Sequence, residues 1–446
     1  MNFRESVDYL LSLGRELAAP TQASTAKFNL ENISVLAEWL GRPERRYPSV
    51  HIAGTNGKGS TAAFLESIVR TAGYRSGLYT SPHLERINER IRVNGQEISD
   101  QDFARVFSRI HAAIEKLLGA GTLRAHPTFF ECVTAMAFLH FAETNVDLAV
   151  FETGLGGRLD STNIITPEIS IITRIDFDHE NFLGHSLGEI AGEKAGIIKP
   201  RVPVVMAEQR EEARRVLLLT ARLREAPAVE TADAYRTESL RMEQGCVRAG
   251  VRDKESGSII RLAPQLAGLF QLQNALNAVA AQRILRTRGF AINDEAVERG
   301  IAAAVWPGRI EKIRSRPAVY LDGAHNPSAA RQLAAFLAEN FAGRKVLMVF
   351  GALRDKAVDE IAGILFPYAA QVIFTEPRTT RSISAARLAA MAGHHAAGFE
   401  IIPDADRALD AALALARPDD AIFVTGSLYL VGQLRARLLR SSEAAG

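Results

Sequence analysis

HIAGTNGKGST, residues 51–61, decides how the rest of this chain is read. The apolar residues of SVHIAG lead into it as a strand, and the pattern from Ser60 onward is helical. Glycine-rich sequence between a strand and a helix is where a phosphate loop sits. Backbone amides freed by the glycines, with the helix N-terminus behind them, point at phosphate oxygens. The spacing is unusual, because the common form has four residues before Gly-Lys and then Ser or Thr at once. Here only Thr55 and Asn56 separate Gly54 from Gly57, and Gly59 stands between Lys58 and Ser60. That argues against the standard motor and GTPase lineages but not against ATP. Lys58 is placed to counter phosphate charge, and Ser60 to reach Mg2+ directly or through water. The competing reading is a tight turn with an exposed lysine.

Outward from this stretch, short apolar runs alternate with helical patterns. A helix is expected over 60–72, a short strand at 77–79 and a buried helix over 128–143. LAVFET, ISIIT and VPVVMAE read as further strands, with helices around 187–198 and 211–225. This rhythm implies a mostly parallel sheet with helices on both faces. Residues 241–262 break it with an alternating pattern and with Gly250 and Gly257, which suggests antiparallel ribbon; a helix over 273–286 resumes it. WPGR, at 306–309, interrupts helical sequence and marks a boundary. Beyond it AVYLDG, KVLMVFG, QVIFTEP, FEIIPD and AIFVTG read as strands, each followed by a helix. The expectation is an α/β protein of two domains. Residues 1–305 form an ATP-binding domain with a mostly parallel sheet and phosphate loop; residues 306–446 form a smaller Rossmann-like α/β domain.

Composition narrows the function classes. The 446 residues exceed what one core usually supports. With 53 basic against 51 acidic residues, a net charge of +2 excludes a general polyanion-binding surface, so no nucleic-acid partner is expected. Cys132 and Cys246 lie far apart with no metal-ligand spacing, which suits reduced thiols and a cytoplasmic home. The charged start, MNFRESVDYLLSLG, gives no signal peptide, and no apolar run approaches the ~18 residues a membrane helix needs.

Two further places can carry chemistry. In FETGLGGRLDSTN, Glu152 ends an apolar strand and a glycine-rich turn follows, the position where open α/β sheets hold ligands. A carboxylate there can hold Mg2+ against ATP phosphates, or be a solvated strand-end acid. Lys194, in GEKAGIIK, reads from sequence physics as an ordinary helix lysine.

AGTNGKGST resembles the loop of the Mur ligase superfamily, ATP-dependent enzymes that join an amino acid to a carboxylate. The whole chain is similar to the folylpolyglutamate synthase branch, often bifunctional with dihydrofolate synthase. Matching blocks run in the family's order: KFNLENI, YTSPHLERINERIRVNG, TFFECVTAMAF, FETGLGGRLDSTN, DFDHENFLG, GEKAGIIK, QLQNALNA, WPGRIE, LDGAHNP and TGSLYLVG. Only 53 residues precede Gly54, too few for the extra domain of muramyl-peptide ligases.

The resemblance assigns roles that the residues alone do not. Glu152, Ser81 and His179 become magnesium ligands, and Lys194 becomes a carbamylated, carboxylate-like group near a second magnesium. Gly54, Thr55, Asn56, Gly57, Lys58, Gly59, Ser60, Asn274, Arg309 and Asp322 match the ATP contacts. His325 is a further catalytic candidate, and Ser427 a candidate for the incoming amino acid's carboxylate. Thr128, Phe129, Phe130 and Glu131, with Leu159, Asp160 and Ser161, match pterin-binding positions. Phe129 and Phe130 can offer a flat apolar face to a pterin, or serve as core of a buried helix. Arg86, Arg90 and Arg92 meet an anionic substrate or solvate a loop. The implied enzyme is a monomeric ATP- and Mg2+-dependent ligase adding L-glutamate to dihydropteroate or a reduced folate through an acyl phosphate. Its rivals are a Mur-type ligase for another carboxylate and a nucleotide-driven switch protein.

Overall fold

The alternation of apolar runs and helices resolves into two parallel-rich sheets in the computed structural model, which describes residues 1–14 and 29–443. Lys27 and Phe28 of the KFNLENI block lie outside the described residues. The chain divides into two compact units. The first comprises Met1–Leu240, Ala249–Ala263 and Leu272–Ala304. Its sheet is built from β1 (Ser49–Ala53), β2 (Ser76–Tyr79), β3 (Ile91–Val93), β4 (Gln96–Glu97), β5 (Leu148–Glu152), β6 (Ile169–Ile172), β7 (Val204–Met206) and β8 (Ala228–Glu230). The order across it is β4-β3-β2-β5-β1-β6-β7-β8. From β2 to β8 all pairings are parallel; β3 and β4 add an antiparallel edge.

Every residue of β1, β5 and β6 is buried. Strands covered on both faces have no solvent side to alternate with, hence their predominantly apolar sequence. Ile52 of β1 pairs with Glu152 of β5 and Ile171 of β6, so three carboxyl ends and the loops after them lie side by side. One face is filled by Phe103, Phe107, Phe138, Phe141 and Phe151. Helix Phe129–Glu143 supplies part of that core and is buried nearly all round. Helix Asp100–Gly119, capped by Ser99, carries Phe103 and Phe107; the sequence reading did not assign it.

A ribbon of β9 (Tyr235–Glu243), β10 (Cys246–Asp253) and β11 (Ile259–Leu262) occupies the segment expected to be antiparallel. The second unit comprises Arg241–Arg248, Pro264–Gln271 and Val305–Gly446. Two of those segments precede residue 305 in the chain. The sheet here contains β12 (Glu311–Ser315), β13 (Ala318–Leu321), β14 (Val346–Phe350), β15 (Gln371–Glu376), β16 (Phe399–Asp404) and β17 (Ala421–Thr425), in the order β12-β13-β17-β14-β15-β16. All pair in parallel except β12, an antiparallel edge on β13 that the reading missed. Each of the five parallel strands is followed by a helix, as the rhythm predicts.

Candidate active site

The phosphate loop leaves β1 and enters helix Lys58–Thr71, whose N-cap is Gly57 at φ +89°. A side chain at Gly57 would collide with the Asn274 amide, and one at Gly54 with Thr173. Both glycines are therefore required by close approach as well as by conformation. The amides of Thr55 and Asn56 both donate to the Arg174 carbonyl. Thr55 Oγ1 donates to the Asp176 carbonyl and accepts from the Asp176 amide. The segment after β6 thus fixes the loop. Asn274 belongs to helix Gln271–Thr287, and its carbonyl accepts from Thr61 Oγ1.

Lys58 Nζ donates to the Gly54 and Thr55 carbonyls at 3.0 and 3.2 Å. Lys194 Nζ, from helix Leu187–Ala195, donates to the same Gly54 carbonyl at 2.8 Å. Lys194 is buried, not the exposed helix lysine that its sequence suggests. Burial, then the neighbouring Lys58 charge, brings its pKa down to about 7, against the pull of Asp178 and Asp160.

Glu152 ends β5 as a buried carboxylate, and the Ser81 amide donates to its Oε2 at 3.3 Å. His179 lies at φ +52° beside Asp178, which accepts from the His179 amide. Oxygen donors with a single imidazole suit a hard divalent cation. Asp178 and Asp176 are acids the sequence reading passed over, although DFDHE displays both.

The turn after Glu152 packs against the Lys194 helix. Arg158 N donates to the Glu193 carbonyl, and its guanidinium pairs with the Glu193 carboxylate. A side chain at Gly154 would strike the Phe130 ring, so this half-buried ring lies directly over the turn. Phe129 is core, with Arg90 over its face at 5.2 Å. Arg90 is buried and donates to His83 Nδ1, so it is not a solvated loop residue; Arg86 and Arg92 pair with Asp100 and Glu97. Thr128 and Glu131 form the capping box of helix Phe129–Glu143. Leu159 is half-buried, and Asp160 and Ser161 are buried.

In the second unit, Asp322 follows β13 and Ser427 follows β17, the neighbouring parallel strand. Asp322 accepts from the Ile310 and Ala324 amides; burial pushes its pKa up, while Arg309 pulls it down. His325 Nδ1 lies 2.7 Å from the Gly323 carbonyl. Ser427 Oγ accepts from the Tyr429 amide. Arg309, Asp322, His325 and Ser427 therefore group at the carboxyl edge of that unit's sheet. Arg309 also borders a cavity of about 690 Å3 with Trp306 and Tyr320, which the other three do not line.

A phosphate loop flanked by a strand-end acid and a buried lysine, on a chain with a second parallel domain, is the arrangement of a Mur-type ligase. Residues 52–282 match the Mur ligase middle domain, and residues 308–428 the Mur ligase glutamate ligase domain. The chain is 38% identical to the dihydrofolate synthase/folylpolyglutamate synthase of Bacillus subtilis, over 92% of this chain and 95% of that one. Identity to the Mycobacterium tuberculosis protein of the same name is 35%, over 93% and 91%. The structure of Mycobacterium tuberculosis folylpolyglutamate synthase complexed with ADP superposes with a TM-score of 0.88 at 32% identity, covering 98% of each chain. That of Escherichia coli FolC in complex with DHPP and ADP gives 0.86 at 29%, covering 99% of each. The chain belongs to the folylpolyglutamate synthase/dihydrofolate synthase family of Mur ligases and is an ATP-dependent acid–amino-acid ligase. Among the described residues, no helix is long and apolar enough to cross a membrane.

Proposed function

We propose that this ligase adds L-glutamate to dihydropteroate or a reduced folate. The observation that carries the reading lies within the first unit. There the phosphate loop, Glu152 and Lys194 meet at the carboxyl edge of one sheet, beside a glycine turn overlaid by a half-buried aromatic ring. The relatives' names point the same way. The substrate carboxylate attacks the γ-phosphate of ATP, giving an acyl phosphate and ADP. The glutamate amine then attacks the acyl carbon, and phosphate leaves. A free carboxylate is a poor acyl donor, so phosphorylation supplies the leaving group while the protein supplies position and charge.

In this reading residues 54–60 and Asn274 hold the nucleotide, and Arg309 and Asp322 keep the ATP-contact role and His325 the catalytic role that the resemblance implies. Glu152, Ser81 and His179 hold Mg2+, which when bound neutralises phosphate charge. Lys58 counters the β/γ charge directly. Lys194, with its pKa brought down to about 7, is available as the free amine that adds carbon dioxide, losing a proton and becoming a carbamate. Phe130 and the turn with Leu159–Ser161 receive the pterin, and Ser427 the glutamate carboxylate. Two free cysteines suit a cytoplasmic setting.

The test is ADP release by the full chain with dihydropteroate and reduced folates offered separately. Turnover that requires both a pterin acid and glutamate is expected. ATP hydrolysis indifferent to either would make the protein a switch, and turnover only with a peptidoglycan precursor would move it to another Mur branch.

A further inference from the structure

His51 opens the phosphate-loop stretch, yet none of the chemistry above uses it. It lies fully buried in β1, with Nε2 2.8 Å from Thr162 Oγ1. Thr162 has one hydroxyl proton, and donates it to Asp160 Oδ1 at 2.5 Å. The hydroxyl must therefore accept from His51, which fixes the imidazole as the Nε2–H tautomer. The Thr162 amide donates to the same Oδ1 at 3.0 Å. The amides of Gly154 and Leu155 donate to Oδ2 at 2.8 and 3.0 Å. A carboxylate has about four lone-pair sites, and these bonds fill them. Asp160 therefore holds the turn.

The other ring nitrogen, Nδ1, is buried without a hydrogen-bond partner. Burying an unmade acceptor costs free energy, so packing alone would be better served here by an apolar residue. What histidine adds at this position is the bond to Thr162. His51 also stands opposite Phe151 in β5, one residue before Glu152. A single side chain thus links the strand that launches the phosphate loop to the turn that follows the strand-end acid.

We propose that His51 is a positioning residue for the pterin acid, setting the backbone of the 154–157 turn through Thr162 and Asp160. The proposal rests on the function argued above, since it assigns that turn to the pterin. His51→Leu and Thr162→Val break the relay. His51→Gln places an amide donor near the Nε2 position, and Thr162→Ser keeps the hydroxyl. In the full chain, the two breaking variants are expected to raise KM for dihydropteroate about tenfold, the loss of about one buried hydrogen bond, with KM for ATP within about twofold. His51→Gln and Thr162→Ser are expected to stay close to the parent. Melting temperatures recorded alongside establish folding, and the Thr162 pair decides the matter if His51→Leu does not fold.

An unchanged dihydropteroate KM in folded breaking variants overturns the proposal, as does an equal rise in both KM values. A parent enzyme that turns over no pterin acid overturns the functional reading instead. In that case nitrogen NMR of labelled histidine still decides the relay. An Nε2–H tautomer with constant shifts from about pH 6 to 8 supports it, and an Nδ1–H tautomer refutes it.

Discussion

Two ammonium groups on one carbonyl oxygen are an uncomfortable arrangement, and Lys58 and Lys194 share Gly54 in this way. The two lysines differ in burial, and that separates their chemistry. Lys58 is half-buried at the head of its helix, where the proposed reading sets it against the phosphates. Lys58→Ala is expected to lower kcat/KM for ligation about 10² to 10³-fold, the usual loss for one well-placed transition-state contact, with little change in melting temperature. Lys194, fully enclosed, is the member whose proton is loosely held. If it carries a carbamate, Lys194→Ala is nearly inactive and acetate or formate partly restores it, whereas Lys194→Arg stays inactive. Rescue by small amines and not by acids would show a plain lysine instead. Mass spectrometry of the magnesium-loaded protein checks the same point directly.

Among the elements, helix Phe129–Glu143 carries a folding signal on Thr128 and Glu131, two of the residues that the resemblance matches to the pterin. Glu131 Oε2 accepts from both the amide and the hydroxyl of Thr128, while Thr128 Oγ1 accepts from the Glu131 amide. Thr128→Ala is expected to lower unfolding free energy by about 1 kcal/mol, the ordinary worth of an N-cap, as read from urea midpoints. Most strands were legible because buried parallel strands are mostly apolar runs with glycine close behind, and β1, β5 and β17 are of that kind. The edge strands β4 and β12, and the short β3 beside β4, were not, since QE and EKIRS carry charges that an edge tolerates and a centre does not. The phosphate loop was legible from its glycines. The burial of Lys194 and the links from His51 to Asp160 were not, because both join residues far apart in sequence through tertiary packing.

Across the whole molecule, buried bases make folding stability depend on pH. Burial holds His51 neutral with a pKa of about 3 and His140 with one of about 4. In the unfolded chain both regain a value near 6.5. Between those limits the unfolded state binds more protons, so their contribution is intact above about pH 6.5 and is lost as pH falls toward 4 and 3. Lys194 has the same sign in a higher window, favouring the folded state as pH rises from about 7 toward 10. Urea midpoints are expected to fall steadily below pH 6.5, and less steeply in a folded His140→Gln variant. An identical slope in that variant would show that His140 is protonated in the native state.

The passage of the chain back and forth between its units has a consequence for inheritance. Gly245, at the tip of the β9–β10 hairpin, packs against the Phe336 ring, and Ala267 lies in the same core as Phe336 and Phe423. Those two short segments belong to the second unit but are encoded well before the rest of it. A recombination event at residue 305 would give a foreign second unit a hairpin and connector shaped for different neighbours. The halves of this gene are therefore not interchangeable cassettes, and on the ribosome the tip emerges before the ring it is shaped to meet.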